Sequence, residues 1–197
     1  MDGFERRRQN KKNSILKASL KLFKQYGYNK VSVAEIAKEA SVSQVSIYNY
    51  FKSKENLKQE LLIKLMDDYY IEITKILDSH DSINHKMEKL FISMANDTKR
   101  TDLQFLLISS TSDTVNDYII KKRAQIKNLI INLVEEGKKE GIINDSVSTD
   151  AIAIYIEIFQ YYFHNNPTVI AKFDNNPELF KEIHSLFFNG LKGKLKL

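Results

Sequence analysis

Two helix-start signals lie close together near the N-terminus, and they constrain the fold more than any other part of the chain. Ser32 and Glu35 have the spacing of a capping box, and apolar residues recur on one face of the helix that should follow. Ser43 is placed to cap a second helix, after a short break at Ser41 and Val42. Helices joined by so short a connection pack against each other, so the segment predicts a helix-turn-helix.

The second helix has the composition of an element that reads DNA. A helix in the major groove needs small or hydrogen-bonding side chains in its first turn, because that end approaches the base edges. Gln44 and Ser46 meet this need, and Val45 between them can touch a thymine methyl group. We therefore predict that the helix from Gln44 to Tyr50 enters the major groove.

The sequence VSVAEIAKEASVSQVSIYNYFKSKENL closely resembles the DNA-binding segment of the TetR family of bacterial transcriptional regulators. This segment spans residues 31–57 of the 197. Ser41 departs from the family, which often has Gly in the turn, but a serine enters a left-handed conformation at modest cost. The residues that fall on the family pattern are Ile36, Ala37, Ala40, Val42, Ser43, Tyr48, Tyr50, Phe51, Ser53, Lys54 and Leu57.

This resemblance implies an all-α protein of about nine helices. It implies an N-terminal three-helix helix-turn-helix DNA-binding domain over residues 1–52, and a C-terminal helical domain over residues 53–197 that binds a small-molecule effector and dimerises. In the family, a homodimer pairs two recognition helices on an operator with two-fold symmetry, whose half-sites lie about 34 to 36 Å apart. The implied protein is a repressor that an effector releases from a palindromic operator in double-stranded DNA.

The same resemblance suggests which side chains hold the DNA backbone. Lys54 stands where the family has a lysine that contacts a phosphate, although outside that context it would be an ordinary surface lysine. Together with the base-reading residues, the predicted phosphate contacts are Ser32, Tyr48, Asn49, Tyr50 and Lys54.

Positive charge is concentrated in the N-terminal part of the chain. Residues 1–54 contain 12 Lys or Arg against 4 Asp or Glu, whereas the whole chain has a net charge of +5. Such asymmetry alone would more often mark a solvated charged face, but beside a helix-turn-helix it favours phosphate binding. The basic arm from Arg6 to Lys12 either reaches phosphates or the minor groove, or is a disordered, solubilising tail.

Composition excludes several classes of protein. The chain of 197 residues has no cysteine, which excludes disulfides, thiolate catalysis and cysteine-ligated metals, and its 43% apolar content is enough for a core. No apolar run is long enough to span a bilayer, and the N-terminus lacks the apolar segment of a secretory signal. We expect a cytoplasmic protein with no membrane partner and no cofactor.

Apolar periodicity predicts helices along the rest of the chain and no strand. A first helix braces the two DNA-facing helices, and a fourth joins the two halves because no linker follows the helix-turn-helix. The predicted helices outside the motif run from near Lys11 to Tyr26, from Ser53 to about Leu77, around Ile83 to Met94, around Leu103 to Ile108, from Asp113 to about Lys139, from Asp150 to Asn165, and from Pro177 to Gly190.

The helix from Asp150 to Asn165 is apolar on nearly all sides, so it must be covered on both. One cover is the core of its own domain, and we expect the other to be a second subunit. In the resembled family the last two helices of each subunit form the homodimer, as a four-helix interface.

A small-molecule site is predicted in the C-terminal domain from aromatic and flexible residues between helices. Individually, most of them are more consistent with plain core than with a ligand site. Glu157, Gln160 and His164 can orient a ligand, or they can satisfy one another across a dimer interface. The candidate ligand-lining residues are Tyr69, Phe91, Met94, Phe105, Tyr118, Tyr155, Phe159 and Tyr162.

Catalytic and metal-binding interpretations find little support in the sequence. His80, Asp81 and His85 offer imidazole and carboxylate ligands, but they lie in a polar connection with no distant third ligand, which favours a surface turn. Without a Gly-rich phosphate loop or a GxSxG motif, we expect no enzyme. Two alternatives stay open: an effector-independent architectural or division-linked DNA-binding protein on the same fold, and a small helical enzyme or carrier whose basic N-terminal part is incidental.

Overall fold

All the regular structure in the computed structural model is helical. The structure describes residues 3–97 and 112–192, and within these ranges there is no strand, which confirms the all-α prediction. The short helix predicted around Leu103 to Ile108 lies outside the described residues. In chain order the helices are α1 (Gly3–Tyr26), α2 (Val33–Glu39), α3 (Gln44–Phe51), α4 (Lys54–Leu77), α5 (Ile83–Asp97), α6 (Asp113–Lys139), α7 (Thr149–Asn165), α8 (Pro167–Asn175) and α9 (Pro177–Lys192).

The helices group into two compact units. The first contains the chain up to Met66 and the start of α6 as far as Ile119, and the second contains the remainder of α4 from Asp67, α5, and the chain from Ile120 onward. The division therefore falls inside α4 and α6, so each of these helices contributes to both units. The domain boundary predicted after residue 52 stays a prediction.

The predicted caps form in the first unit. The Ser32 hydroxyl accepts a hydrogen bond from the Glu35 backbone N–H (3.2 Å), and the Glu35 carboxylate accepts one from the Ser32 backbone N–H (2.7 Å), which completes the capping box of α2. Ser43 Oγ accepts from the Ser46 N–H (3.1 Å) and caps α3. Ser53 Oγ accepts a backbone N–H from the first turn of α4 (3.0 Å), so that helix begins at Lys54.

The connection between α2 and α3 turns through a left-handed residue. Ser41 has a φ of +54°, the conformation for which the resembled family often has Gly. The next residue, Val42, donates its N–H to the Ala37 carbonyl oxygen (2.9 Å), which closes the end of α2. The backbone can therefore enter α3 after only a few residues.

The helices of the first unit share one apolar core. It receives side chains from α1, α2, α3 and the first half of α4, and a buried valine from the loop before α2. Burial of these side chains is the main force that holds the helices of this unit together, because α2 and α3 are too short to be stable alone. The most deeply buried members are Ile15, Phe23, Val31, Ile36, Ile47, Phe51, Leu57, Leu61 and Leu62.

Helix α1 is longer than the sequence analysis predicts. It begins at Gly3 and not near Lys11, so the stretch from Arg6 to Lys12 is part of a continuous helix. The physical reason is composition: this stretch consists mainly of Arg, Gln and Lys, which are good helix formers even when no apolar face is present. Apolar periodicity therefore could not place its start, and the interpretation as a disordered tail is wrong for these residues.

The second unit is centred on Phe91 of α5. Phe91 is fully buried, and its ring centroid lies 4.9 to 6.4 Å from six other aromatic rings, the separations at which rings pack edge to face or tilted. These rings belong to Phe159 and Phe163 of α7, and to Phe180, His184, Phe187 and Phe188 of α9. Helices α7 and α9 thus pack on α5 through aromatic side chains.

Between these helices lies α8, which the sequence analysis omits. Pro167 occupies its first turn, a favoured position for a residue that has no N–H to donate. Its Phe173 is buried, with its ring 5.8 Å from that of Phe163 and 5.5 Å from that of Phe180. The Asn-Pro pair at residues 166 and 167 is a helix-start signal that was available in the sequence.

Helix α7 is apolar on two sides, as predicted. Ile152, Ile156 and Phe163 are buried in the second unit, whereas Ile154 and Ile158 project from the opposite side and are exposed. Each unit is thus built on its own apolar core, and one helix of the second unit carries an additional uncovered apolar face.

Candidate DNA-binding surface

Helix α3 divides into an anchored face and an exposed face. Ile47 and Phe51 are buried in the first unit, with Ile47 only 1% exposed. Val45 is 67% exposed, and Tyr48 is exposed beside it. Gln44 and Asn49 are also exposed, so the structure brings four of the predicted contact residues together on the outer surface of one short helix.

Two other predicted residues of α3 are less accessible. Ser46 is half-buried, and its hydroxyl lies 2.9 Å from the Ser43 hydroxyl, so it shares a hydrogen bond with the residue that caps the helix. Tyr50 is half-buried, with its ring 6.1 Å from that of Phe51. Because Ser46 and Tyr50 are half-buried, only the exposed atoms of their side chains can contact a duplex.

Ser32 already uses its hydroxyl within the capping box of α2. The hydroxyl donates to Glu35 Oε2 (2.7 Å) while it accepts from the Glu35 N–H. Hydrogen bonds from the Ser32 side chain and backbone lower the pKa of the Glu35 carboxyl, which keeps a negative charge at this helix start. A phosphate contact by the Ser32 hydroxyl therefore requires its proton to turn away from this carboxylate.

Lys54 lies partly buried against the loop that precedes α2. Its ammonium group donates to the backbone carbonyl of Tyr28 (2.7 Å) and lies 4.3 Å from the centre of the Tyr28 ring. Burial lowers the pKa of Lys54, and the nearby carboxylates of Glu35 and Glu55 oppose that shift. Lys54 thus connects α4 to the loop, a role that the resemblance did not suggest.

Tyr28 is the centre of this connection. Its hydroxyl donates to Glu55 Oε2 (2.8 Å), and its ring packs edge-on against Phe23 of α1, with centroids 5.2 Å apart. Burial, followed by the hydrogen bond and charge of Glu55, raises the pKa of the Tyr28 hydroxyl well above its ordinary value, so it stays protonated and keeps donating. A single side chain therefore links α1, the loop before α2 and the start of α4.

A buried lysine completes this cluster, which we call the Tyr28 cluster: Tyr28, Lys54, Glu55 and Lys58. The Lys58 side chain is only 1% exposed, and its ammonium lies 2.7 Å from Glu55 Oε1 and 4.7 Å from the Tyr28 ring centre. A buried ammonium is tolerated because a carboxylate and an aromatic face replace its water. The sequence analysis missed Tyr28, Glu55 and Lys58, although a lysine in the apolar register of α4, directly after Leu57, was a visible signal.

The predicted ligand-lining residues separate into three groups. Phe91, Tyr155 and Phe159 come together in the aromatic core, where ring centroids are 6.4 Å apart for Phe91 and Phe159 and 5.0 Å apart for Tyr155 and Phe159. Tyr69 is buried on α4, Tyr162 is exposed on α7, and Tyr118 belongs to the first unit. The side chain of Met94 and all of Phe105 lie outside what the structure describes, as do the side chains of Gln160 and His164.

Two open grooves lie among the described residues of the second unit, and none of the candidate ligand-lining residues whose side chains the structure describes lines either groove. One, of about 470 Å³, lies along α4 and α5 and includes Asp68, Glu72 and Lys89. The other, of about 400 Å³, lies between α5 and α9 and includes His85 and His184. Both carry charged or imidazole side chains at their walls.

The polar connection between α4 and α5 is held by its own contacts. Asp81 accepts hydrogen bonds from Lys89 Nζ and Ser79 Oγ, each 2.7 Å long, and these bonds lower the pKa of its carboxyl. Within residues 3–97 and 112–192, no three His, Asp or Glu side chains come together as a possible metal site. Among the helices of these same ranges, none has the length and apolar character needed to cross a membrane.

We predict that Tyr28→Phe destabilises the protein by about 1 to 3 kcal/mol, because Glu55 loses a hydrogen bond to its charged carboxylate while the ring contacts stay. Urea denaturation measures this change. Tyr26→Phe, at an exposed tyrosine two residues earlier, is the matched control and should change little. Equal stabilities of the two variants would contradict the role of the Tyr28 hydroxyl.

Comparison with known proteins gives the same assignment as the helix-turn-helix geometry. Residues 15–61 match the family described as bacterial regulatory proteins, tetR family. The HTH-type transcriptional repressor KstR2 of Mycolicibacterium smegmatis is 20% identical over 151 residues, which cover 74% of each chain. The HTH-type regulator YuxN of Bacillus subtilis is 43% identical over 72 residues, 36% of this chain and 25% of that protein.

The fold extends beyond the matched segment. The solved structure of the transcriptional regulator FadR from Bacillus subtilis, in complex with stearoyl-CoA, superposes with a TM-score of 0.64 at 19% identity, over 92% of this chain and 98% of that one. The relatives are transcriptional regulators, and some bind ligands. The family match lies on the helix-turn-helix, so residues 15–61 are similar to the tetR family of bacterial regulatory proteins.

Proposed function

We propose that the protein is a homodimeric repressor that binds a palindromic operator in the cytoplasm and that a small-molecule effector releases it. The proposed DNA binding rests on the two faces of α3. Ile47 and Phe51 are buried, while Gln44, Val45 and Tyr48 are exposed to solvent. A helix held rigidly from behind, with polar and small side chains in front, suits insertion into the major groove.

The proposed contacts follow from what each exposed side chain can donate or accept. Gln44 reads a base edge with its amide, Val45 contacts a thymine methyl group, and Ser46 contributes its hydroxyl from the same turn. Tyr48, Asn49 and Tyr50 donate to phosphates, which positions the helix without reading sequence.

Two of the predicted phosphate contacts, Lys54 and Ser32, already make hydrogen bonds within the protein. An ammonium group carries three N–H donors, so Lys54 can hold the Tyr28 carbonyl and still direct a donor to a phosphate. Ser32 can join it only when its hydroxyl leaves the Glu35 carboxylate. We therefore propose Lys54 as the stronger of the two contacts.

The homodimer is proposed on the uncovered face of α7. Ile154, Ile158 and Tyr161 follow one another at four- and three-residue spacing and are all exposed, as is Leu186 of α9. Large apolar side chains on one helical face are typical of a surface that a partner covers. A second copy of the chain places the same face against itself and supplies the symmetry that a palindromic operator requires.

The effector is proposed to act through α4. This helix runs without interruption from Lys54, in the Tyr28 cluster, to Leu77 in the second unit. The aromatic interior of the second unit suits an apolar ligand, and the FadR of Bacillus subtilis was solved with stearoyl-CoA. A ligand that binds better to one position of α4 than to another shifts the spacing of the two recognition helices and weakens operator binding.

Replacing Gln44 and Tyr48 separately tests the division between base and phosphate contacts. Gln44→Ala should reduce the ratio of operator to random-DNA affinity by about 5- to 150-fold, the value of one good base contact. Tyr48→Ala should weaken binding to both DNAs alike, because a phosphate contact carries no sequence information. Fluorescence anisotropy with the two duplexes measures both ratios, and an unchanged ratio for Gln44→Ala would refute its assigned role.

Charge on the α7 face tests the dimer. Ile158→Glu should convert the protein to monomers in sedimentation equilibrium and weaken binding to the two-fold operator, because two buried carboxylates would face each other without partners. Ile120→Glu is a matched control on α6, since Ile120 is 64% exposed against 58% for Ile158. A dimer that survives Ile158→Glu as fully as Ile120→Glu would place the interface elsewhere.

Stearoyl-CoA is the first probe for the effector, with free CoA as its control. We expect stearoyl-CoA to release the protein from its operator at concentrations at which CoA has no effect, because the acyl chain is the part that an aromatic interior binds. Operator titrations with each compound measure this. If neither compound nor a panel of other apolar ligands changes operator affinity, the effector-independent alternative is the better description.

A further inference from the structure

The N-terminal third of α1 projects beyond the core of the first unit as a basic helix. Residues 3–12 contain five Arg or Lys and one carboxylate, Glu5, and their side chains are exposed except for the half-buried Lys12. At 1.5 Å per residue, the stretch from Gly3 to Lys12 extends for about 14 Å. Gln9 donates to the Asn13 side chain one turn later (3.1 Å), a contact that supports the helix here.

The exposed helix starts beside the recognition helix. Lys12 forms an ion pair with Glu60 of α4, and its ammonium lies 5.8 Å from the ring centre of Phe51, the last residue of α3. Ser14 Oγ lies 3.4 Å from the carbonyl oxygen of Ala40, just before the turn into α3. All these residues belong to the first unit. The part of α1 at Lys12 and Ser14, where the basic stretch ends, therefore lies close to both the start and the end of α3.

Only one face of this helix continues the face that packs in the core. Positions 4, 8, 11 and 15 are spaced four, three and four residues apart, so Phe4, Arg8 and Lys11 lie in line with the buried Ile15. Arg6 precedes Ile15 by nine residues, about two and a half turns, and therefore lies on the opposite face with the exposed Lys17. The face towards the other helices of the unit thus changes from apolar to basic where the core ends.

We propose that Arg8 and Lys11 bind the sugar-phosphate backbone beside the base pairs read by α3. The inference rests on the proposed DNA-binding function and extends the contact surface to a second element. Arg8 and Lys11 are exposed just beyond the core, on the face of α1 whose next turns adjoin both ends of α3, so their side chains can extend to the backbone of a duplex held by α3. Arg6 and Lys17 face away and take no part. The contact adds affinity and salt dependence but no sequence preference.

Two double variants of α1 test this inference, because they remove the same charge from opposite faces. Each phosphate contact contributes about 0.9 to the slope of log affinity against log salt. Arg8→Ala with Lys11→Ala removes two contacts in each subunit and should lower the slope of the dimer by about 3.6. Arg6→Ala with Lys17→Ala should leave the slope nearly unchanged. Alanine favours helix, so melting temperature and circular dichroism should confirm that both variants fold.

A third variant separates charge from side-chain identity. Arg8→Lys with Lys11→Arg should restore the wild-type slope. Equal losses in the two alanine variants would overturn the inference, since they would mean diffuse attraction with no preferred face, and so would an unchanged slope for Arg8→Ala with Lys11→Ala. Slopes are measured on the operator and on random duplex. A wild-type protein without any preference between these DNAs would count against the proposed function, while the two alanine variants would still decide the role of the α1 face.

Discussion

The Tyr28 cluster is the interaction on which the position of the recognition helix depends. Tyr28 lies in the loop between α1 and α2 and contacts three side chains from the first turns of α4. Its hydroxyl donates a hydrogen bond to Glu55, and its backbone carbonyl accepts one from Lys54. Its ring lies against the ammonium group of the buried Lys58. The loop into the helix-turn-helix therefore cannot shift without breaking contacts with α4.

The energetic character of these contacts makes the cluster sensitive to change. A buried charge is costly unless its partners stay in place, so loss of one member leaves the others uncompensated. Such a cluster is either fully formed or broken, because partly formed states leave buried charges without partners. A two-state contact of this kind can transmit a displacement of α4. An entirely apolar contact at the same place would allow gradual sliding. The Tyr28 cluster thus gives the proposed effector response a physical basis in the first unit.

The recognition helix is defined as much by what it buries as by what it exposes. Its eight residues, Gln44–Phe51, are too few to be stable alone, and Ile47 and Phe51 hold them to the core while Ser43 caps the start. The exposed side chains of α3 do not belong to this core, whereas the half-buried Ser46 shares a hydrogen bond with Ser43. Under the proposed function, a change at Gln44 or Val45 alters which sequence is recognised without altering the fold.

Local signals in the sequence were sufficient to predict the helix-turn-helix. The contacts between residues far apart in the chain could not be predicted from such signals. The pairing of Ser32 with Glu35 and the cap at Ser43 depend on residues three positions apart, so spacing alone predicts them. The bond from Lys54 to Tyr28 joins residues 26 positions apart and requires the fold to be known. The aromatic core around Phe91 could not be predicted for the same reason. Periodicity indicates that Phe91 and Phe159 are buried, but it does not indicate that their rings are in contact.

Selection of bound fragments from randomised DNA at near-physiological salt shows whether α3 reads sequence, with the affinity of the winning sequence compared with that of a scrambled control. We expect an enriched inverted repeat with half-sites about one helical turn apart, roughly 34 to 36 Å, bound at least about a thousandfold more tightly than the control. No enrichment, with binding that simply fades as salt rises, would contradict the role of α3 as a sequence-reading helix.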